Sequence, residues 1–208
     1  MMAAVATGES TVTGLLEGED VLNTAKAVKA LGAGVERTGP GAWTITGVGA
    51  RGFASPQGDL DFGNSGTGAR LMMGLVGGHE VSARFVGDAS LSSRPMERVL
   101  KPLREMGVRA ETAPGGKLPA VIRGGNLKAI RYAPPEASAQ VKSAIMLAGL
   151  RAEGVTIVWI EHVVHALLAT VDRLAVLHGG KFIASGDPHK VIRSAEVAEI
   201  YMGIDADA

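Results

Sequence analysis

Apolar residues near the start of the chain recur at the spacing of an amphipathic helix. Four of them keep this spacing: Val21, Ala25, Val28 and Leu31. Asp20 is placed to cap the N-terminus of this helix, and Gly32 is placed to follow its last turn. Alternating apolar positions on either side of a Gly39-Pro40-Gly41 turn then predict a β-hairpin.

The same pattern returns about 75 residues further along the chain. A second helical run consists of Met96, Val99, Leu100, Leu103 and Met106. Gly107 ends this helix, Val108 opens a strand, and a Pro114-Gly115-Gly116 turn leads into an apolar strand at 118–122.

A further pair of helices keeps the same offset. Residues 69–75 align with residues 144–150, and strands are expected to follow at 81–86 and 155–160. We therefore predict an α/β fold of repeated β-α-β-α-β-β units, in which the end of the chain supplies a shorter third unit over 155–186. The alternative is that these similarities between segments reflect no repeat, because any α/β chain contains helices and strands at similar spacings.

Composition narrows the functional classes. The chain has 208 residues, a formal net charge of +0, 46% hydrophobic residues, 29 glycines and no cysteine. A balanced charge provides no basic surface for nucleic acid or membranes, and the absence of cysteine excludes thiolate chemistry. No apolar run approaches the roughly 20 residues that cross a bilayer. We expect a cytoplasmic protein whose partners do not include nucleic acid or membranes.

Three polar clusters are candidates for chemistry. The first is the Gly-rich segment 61–70, which runs into a predicted helix; the free N–H groups of a helix start favour an anion. The second contains Arg94, which precedes Pro95, the expected first residue of the next helix. The arginine can offer two parallel donors to a carboxylate or phosphate. The structural alternative for the first cluster is a Gly-rich turn without a ligand. For the second cluster, it is an arginine exposed to solvent at the end of a loop.

The third cluster is Ala137-Ser138-Ala139-Gln140-Val141-Lys142-Ser143, also at a predicted helix start. Ser138 is a plausible N-cap, and Gln140 and Lys142 can project from the first turn toward a ligand. The 75-residue offset places this cluster at the position that the first cluster holds in the preceding repeat. Both helix starts are therefore expected on one face.

Several motifs together resemble the EPSP synthase family, the 3-phosphoshikimate 1-carboxyvinyltransferases. They are GLLEGED at 14–20, DFGN at 61–64, GDASL at 87–91, RPM at 94–96, PLREMG at 102–107 and ASAQVKSA at 137–144. The resemblance covers about residues 7–156. Within the family, this sequence is most similar to the glyphosate-tolerant bacterial class. It implies transfer of the enolpyruvyl group of phosphoenolpyruvate to the 5-hydroxyl of shikimate 3-phosphate, without a cofactor or metal.

The resemblance also implies roles for single residues. Asn64, Ser65, Gly66 and Thr67 resemble the loop beside phosphoenolpyruvate, where glyphosate competes. Arg94 resembles the arginine that holds the phosphate of phosphoenolpyruvate or the phosphonate of the inhibitor.

Residues of the third cluster resemble the contacts to shikimate 3-phosphate. These are Ser138, Ala139 and Gln140, and Gln140 also resembles a residue near phosphoenolpyruvate. A Gly-Asp-Lys-Ser segment with the family's substrate-binding lysine, and a second half with its acidic proton-transfer residues, are absent from this sequence. The catalytic residues are therefore unassigned, and a non-catalytic protein that binds the same anions is the alternative hypothesis.

The remaining segment, 157–208, resembles the C-terminal end of an ABC-transporter ATPase of the branched-chain amino-acid type. The similarity rests on VWIEH at 158–162, AVLHGGKFIASGDP at 175–188 and residues 197–203. His162 resembles the switch histidine of that family, but the phosphate loop is absent from the sequence. We expect a helix at 163–171, a hairpin at 174–184 and a helix at 191–202, which pack on or complete the first domain.

Overall fold

A computed structural model describes residues 1–133, 138–151, 168 and 171–202. The chain divides into two compact units, Met1–Ile157 and Val158–Ala208. In the part that the structure describes, no helix is both long and apolar enough to cross a membrane.

The first unit opens with a short helix and a three-stranded antiparallel sheet. Its elements are α1 (Met2–Val5), β1 (Glu9–Val12), α2 (Glu19–Ala30), β2 (Gly34–Gly39) and β3 (Ala42–Thr46). The strands lie in the order β1-β3-β2, with Val35 opposite Ile45 in the predicted hairpin. Gly32 adopts a positive φ of 100° after α2, which confirms its role at the helix end.

The chain then forms a mixed four-stranded sheet packed against helices. The elements are β4 (Leu60–Asp61), α3 (Gly66–Gly77), β5 (Ser82–Val86), α4 (Ala89–Ser93), α5 (Glu97–Met106), β6 (Arg109–Ala113) and β7 (Lys117–Arg123), followed by α6 (Ala139–Gly149). The strand order is β4-β5-β7-β6, with β4 parallel to β5 and the other pairs antiparallel.

These elements confirm the predicted α/β fold of repeated units. Apart from the short α4, the succession β4-α3-β5-α5-β6-β7 is one complete β-α-β-α-β-β unit. The preceding β1-α2-β2-β3 matches its last four elements, and the sheet order β1-β3-β2 matches β5-β7-β6. The contribution of the tail to a third unit stays a prediction, since the expected strand at 155–160 lies outside the described residues.

Helix α3 is the centre of the first unit. It packs against α2, α5 and α6 and against strands β5 and β7. All of its residues are buried except Thr67, Arg70 and Leu71, because a helix surrounded by other elements must be apolar on every side. Its polar side chains therefore lie near its N-terminal end, at the surface.

Two details of the helix starts differ from the prediction. Gly18, not Asp20, is the N-cap of α2, and Asp20 lies in the first turn, where its negative charge suits the helix dipole. Helix α5 begins at Glu97 with Met96 as N-cap, so Pro95 lies before the helix. The buried Met96 donates its N–H to the Gly116 carbonyl at 2.7 Å, which sets the start of α5.

The second unit contains the predicted hairpin, with β8 (Leu174–His178) antiparallel to β9 (Lys181–Gly186). The helix predicted at 191–202 is instead two helices, α7 (Pro188–Val191) and α8 (Ala195–Met202). Asp187 caps α7 by accepting from the N–H of Lys190, so this helix begins before the predicted residue 191. It ends before α8 begins. Of the helix predicted at 163–171, the structure describes only residues 168 and 171.

Candidate anion-binding site

Helices α3 and α6 lie against each other with almost no space between their backbones. An added Cβ at Gly74 would overlap the Ala144 carbonyl, and one at Gly78 would lie 2.7 Å from the Ala148 carbonyl oxygen. At the N-terminal ends of the two helices, Gln140 Nε2 donates to Thr67 Oγ1 at 2.8 Å. The two helices therefore begin on the same face, as the repeat predicted.

Each helix start is capped by a serine. Ser65 Oγ accepts from the N–H of Gly68 at 3.2 Å, and Ser138 Oγ accepts from the N–H of Val141 at 3.4 Å. Ser65 is 1% exposed, so its side chain shapes the loop from within. The other N–H groups of the first turns carry the partial positive charge that favours anions.

Arg94 is held in place by polar side chains of the neighbouring loop. Its Nη2 donates to Asn64 Oδ1 at 2.7 Å and to Ser90 Oγ at 2.9 Å. Asn64 Nδ2 in turn donates to Asp88 Oδ2 at 2.8 Å, and Asp88 Oδ1 caps α4 at the N–H of Leu91. Asn64 thus lies between the arginine and the carboxylate and fixes the orientation of Arg94.

The same hydrogen bonds keep Asp88 ionised. The N–H of Leu91 contributes most to lowering the pKa of Asp88, followed by Asn64, with a smaller contribution from the charge of Arg94. An ionised Asp88 accepts the Asn64 amide and leaves the Asn64 oxygen for Arg94. The guanidinium is therefore preorganised by a neutral amide.

Arg70 lies at the centre of this face. Its Nη1 donates to Gln140 Oε1 at 3.2 Å and approaches the Gly66 carbonyl at 3.5 Å, while its Nη2 donates to the Pro95 carbonyl at 3.2 Å. All these acceptors are neutral. Burial lowers the pKa of Arg70, and the nearby positive charges of Arg94 and Arg98 lower it further. An anion here would relieve this repulsion.

Gly66 separates the two arginines. A Cβ built at this position would lie 3.0 Å from Arg70 Nη1, 3.3 Å from Arg94 Nη1 and 3.5 Å from Leu91 Cδ1. Because glycine has no side chain, both guanidinium groups and the backbone of the helix start remain close together.

The structure brings five of the sequence-predicted residues into one network: Asn64, Gly66, Thr67, Arg94 and Gln140. Ala139 is the exposed first residue of α6, and the half-buried Lys142 lies in the first turn with its N–H on the Ser138 carbonyl. Sequence analysis included Arg70 in the first cluster but assigned it no role. It follows Gly66 by four residues, one helical turn, and this spacing was the available signal.

Comparisons with known proteins agree with this geometry. The family model for EPSP synthase (3-phosphoshikimate 1-carboxyvinyltransferase) matches residues 1–180. A 3-phosphoshikimate 1-carboxyvinyltransferase of Hyphomonas neptunium is 61% identical over 159 residues, 76% of this chain and 36% of that protein. The corresponding protein of a Bradyrhizobium species (strain BTAi1) is 46% identical over 229 residues, which cover 99% of this chain and 52% of the relative.

A solved structure also matches. The EPSP synthase of Acinetobacter baumannii has a TM-score of 0.73 and 42% sequence identity, over 86% of this chain and 42% of that chain. The chain thus spans between about a third and about half of the length of these relatives. The family match over most of the chain decides the relationship: this chain belongs to the EPSP synthase family.

Proposed function

We propose that the chain acts in the shikimate pathway, in the transfer of the enolpyruvyl group from phosphoenolpyruvate to shikimate 3-phosphate. The observation that carries the proposal is the meeting of two helix N-termini with the Arg70–Gln140–Thr67 and Arg94–Asn64 hydrogen-bonded groups. Family membership supplies the reaction, and this face supplies donors for its two anionic substrates.

The proposal divides this face between the two substrates. The phosphate of phosphoenolpyruvate is assigned to Arg94 and the loop of Asn64, Ser65, Gly66 and Thr67. Shikimate 3-phosphate is assigned to the start of α6, the residues being Ser138, Ala139, Gln140 and Lys142. The 2.8 Å bond from Gln140 to Thr67 joins the two halves and supports their use in one reaction.

Arg70 is assigned to the boundary between these halves. It contacts Gln140 on one side and approaches Gly66 on the other. A guanidinium with neutral partners in a partly buried position stabilises negative charge more than an exposed one does. In the proposed reaction Arg70 would hold both anions near each other, which favours reaction through proximity and preorganised charge.

Glyphosate is proposed as a competitor at the phosphoenolpyruvate half. Its phosphonate would take the place of the substrate phosphate on Arg94. The glycine at position 66 leaves the space beside Arg70 and Arg94 open for it.

The test is phosphate release from phosphoenolpyruvate plus shikimate 3-phosphate by the purified chain, freed of host synthase. Calorimetric titration with each substrate should accompany it. Release that depends on both substrates, and that Arg94→Ala reduces, is the expected result. Binding without release would favour the non-catalytic hypothesis, and neither binding nor release would reject the proposal.

We further propose that residues 157–208 derive from the C-terminal end of an ABC-transporter ATPase and complete the fold of the first domain. The β8–β9 hairpin supports this because it matches the element expected there. The proposed location is cytoplasmic. No ATP hydrolysis is expected, because the sequence contains no phosphate loop. ATP turnover by the purified chain that His162→Ala abolished would contradict this.

A further inference from the structure

A cavity lies at the opposite end of α3 from the candidate anion-binding site. The helix has 12 residues, so about 18 Å separates its two ends. The cavity has a volume of about 580 Å³, within the range of small-molecule sites. Its lining includes Arg51, Phe53, His79, Glu80, Leu127 and Arg151.

His79 is a buried residue of the lining, and one of its ring nitrogens has no hydrogen-bond partner in the described part of the chain. The side chain is 3% exposed, and Nδ1 lies 2.8 Å from the Leu75 carbonyl oxygen. A carbonyl only accepts hydrogen bonds, so Nδ1 carries the proton. Nε2 is buried and has no hydrogen-bond partner among the described residues.

The ring is held firmly and remains neutral. Phe53 stacks on His79 with ring centroids 4.4 Å apart. Burial lowers the pKa of His79, and the charge of Arg151 lowers it further, against an opposing effect of the Leu75 carbonyl. A neutral ring with its proton on Nδ1 leaves a lone pair on Nε2. Leaving a buried polar atom unsatisfied is unfavourable, so a ligand that donates there would be stabilised.

Two arginines of the lining donate to backbone carbonyls, which are neutral. Arg51 donates to the Gly32 carbonyl at 3.0 Å, and Arg151 donates to the Gly49 and Ala50 carbonyls at 3.3 and 3.2 Å. Each guanidinium has five N–H groups, so donors remain for a carboxylate.

Negative charge lies in the same cavity. Glu80 is an exposed residue of the lining, and the C-terminal end of α3 contributes a partial negative charge. The lining therefore combines two cations, one carboxylate and one neutral acceptor. A simple anion would satisfy the arginines but would face Glu80 and leave Nε2 of His79 without a donor.

We propose that this cavity binds a free α-amino acid. Its carboxylate is held by Arg51 and Arg151, and its ammonium group donates to Nε2 of His79 beside Glu80. Phe53 and Leu127 are the large apolar residues among the described lining residues, so the site favours an amino acid with an apolar side chain. The site is separate from the proposed transferase function and does not depend on it.

The test is a nuclear magnetic resonance titration of the whole chain that follows the side-chain nitrogens of His79. Three probes share one carbon skeleton: L-leucine, 2-hydroxy-4-methylpentanoate and 4-methylpentanoate. Leucine should shift the Nε2 resonance in a saturable way. It should bind about tenfold or more tightly than 4-methylpentanoate, which has the carboxylate and lacks the donor. The hydroxy acid should fall between them, since its hydroxyl donates without a charge.

Variants separate the contributions of the lining. Arg51→Met should weaken leucine binding about tenfold, while Arg109→Met, an exposed arginine outside the cavity, should leave it unchanged. His79→Phe keeps an aromatic ring and should reduce the difference in affinity between leucine and 4-methylpentanoate, with Glu80 accounting for what remains. If His79→Phe does not fold, the titration of the unaltered chain with the three probes still tests the proposal.

Three results would overturn the proposal. They are no shift of His79 with leucine, equal affinity for leucine and either of the other probes, and loss of leucine binding in Arg94→Ala. The last result would place leucine in the other site.

Discussion

At the scale of single residues, Arg94 is the side chain on which anion binding should depend most. Arg94→Ala removes a guanidinium that Asn64 and Ser90 hold in place. Binding of phosphoenolpyruvate or glyphosate should weaken by about 1.5–3 kcal/mol, the range for hydrogen bonds to charged groups. Titration calorimetry measures this change.

Two controls accompany that substitution. Arg84→Ala removes an arginine whose ion pair with Asp59 lies at the surface, and it should leave ligand affinity unchanged. His162→Ala changes a residue outside the described part of the chain and should also be near neutral. An effect of His162→Ala equal to that of Arg94→Ala would shift the anion site to the tail.

Gly66 gives a prediction about discrimination between ligands. Here an alanine methyl would lie 3.0 Å from Arg70 Nη1 and 3.3 Å from Arg94 Nη1, so both guanidinium groups would have to move slightly. Gly66→Ala should weaken glyphosate more than phosphoenolpyruvate, by roughly 1–3 kcal/mol of difference.

Competition binding with both ligands measures this difference. If Gly66→Ala left glyphosate affinity unchanged while Arg94→Ala abolished it, the Gly66 loop would not line the ligand site. If neither substitution had an effect, the candidate site would not bind these anions.

Glu17 gives a prediction about pH. Its carboxylate accepts from Arg37 at 2.7 Å, from the N–H of Gly41 at 3.1 Å and from Trp43 Nε1 at 2.9 Å. These bonds, that from Arg37 above all, lower the pKa of Glu17 from 4.5 to about 2. A folded-state pKa below the unfolded value stabilises the fold above the unfolded pKa, and this contribution disappears as the pH falls toward 2.

Glu17→Gln should therefore make stability depend less on pH between about 5 and 2. Urea denaturation midpoints at several pH values measure the effect. Glu36→Gln, at an exposed position of β2, is the matched control and should keep the original dependence. A Glu17→Gln profile identical to that of the unaltered chain would contradict the prediction.

At the scale of elements, the packing of α3 on α6 depends on glycine. Alanine is normally better than glycine inside a helix by about 1 kcal/mol. At Gly74, however, the added methyl would overlap the Ala144 carbonyl, so the helices would have to separate. Gly74→Ala should lower the free energy of unfolding by roughly 1–3 kcal/mol, as overpacked cores do.

The same substitution should disturb the site from a distance. Moving α6 away from α3 would lengthen the bond between Gln140 and Thr67, so shikimate 3-phosphate binding should weaken too. Gly58→Ala, at a position with open space around it, is the control. Unchanged stability in Gly74→Ala would show that the helices lie further apart than described.

At the scale of the whole molecule, the tail gives a prediction about folding. Among its described residues, the buried apolar core consists of Leu174, Val176, Val191 and Val197. So few buried apolar side chains rarely stabilise a domain alone. If the tail completes the first domain, a chain truncated before Val155 should lose cooperative thermal unfolding, which circular dichroism measures. An unchanged, sharp transition would mean that the first unit folds without the tail.

The repeat could be predicted from the sequence because the spacing of apolar residues along the chain indicates helices and strands. The offset of about 75 residues predicted the hairpin of β2 and β3 and the helices α3 and α6 from apolar spacing and glycine turns alone. Boundaries were less certain where a tertiary contact decided them. The start of α5 is one example, since the hydrogen bond from Met96 to Gly116 joins positions 20 residues apart in the chain.

The sequence by itself determined the family, the α/β class and most of the loop residues at the candidate site, because these depend on local motifs. Only the tertiary structure decided that Arg70 lies between Gly66 and Gln140, because the bond from Arg70 to Gln140 joins residues 70 positions apart. It alone also decided that Nε2 of His79 is buried without a partner among the described residues. Burial and pairing depend on what the rest of the fold places around a side chain, and local sequence does not contain that information.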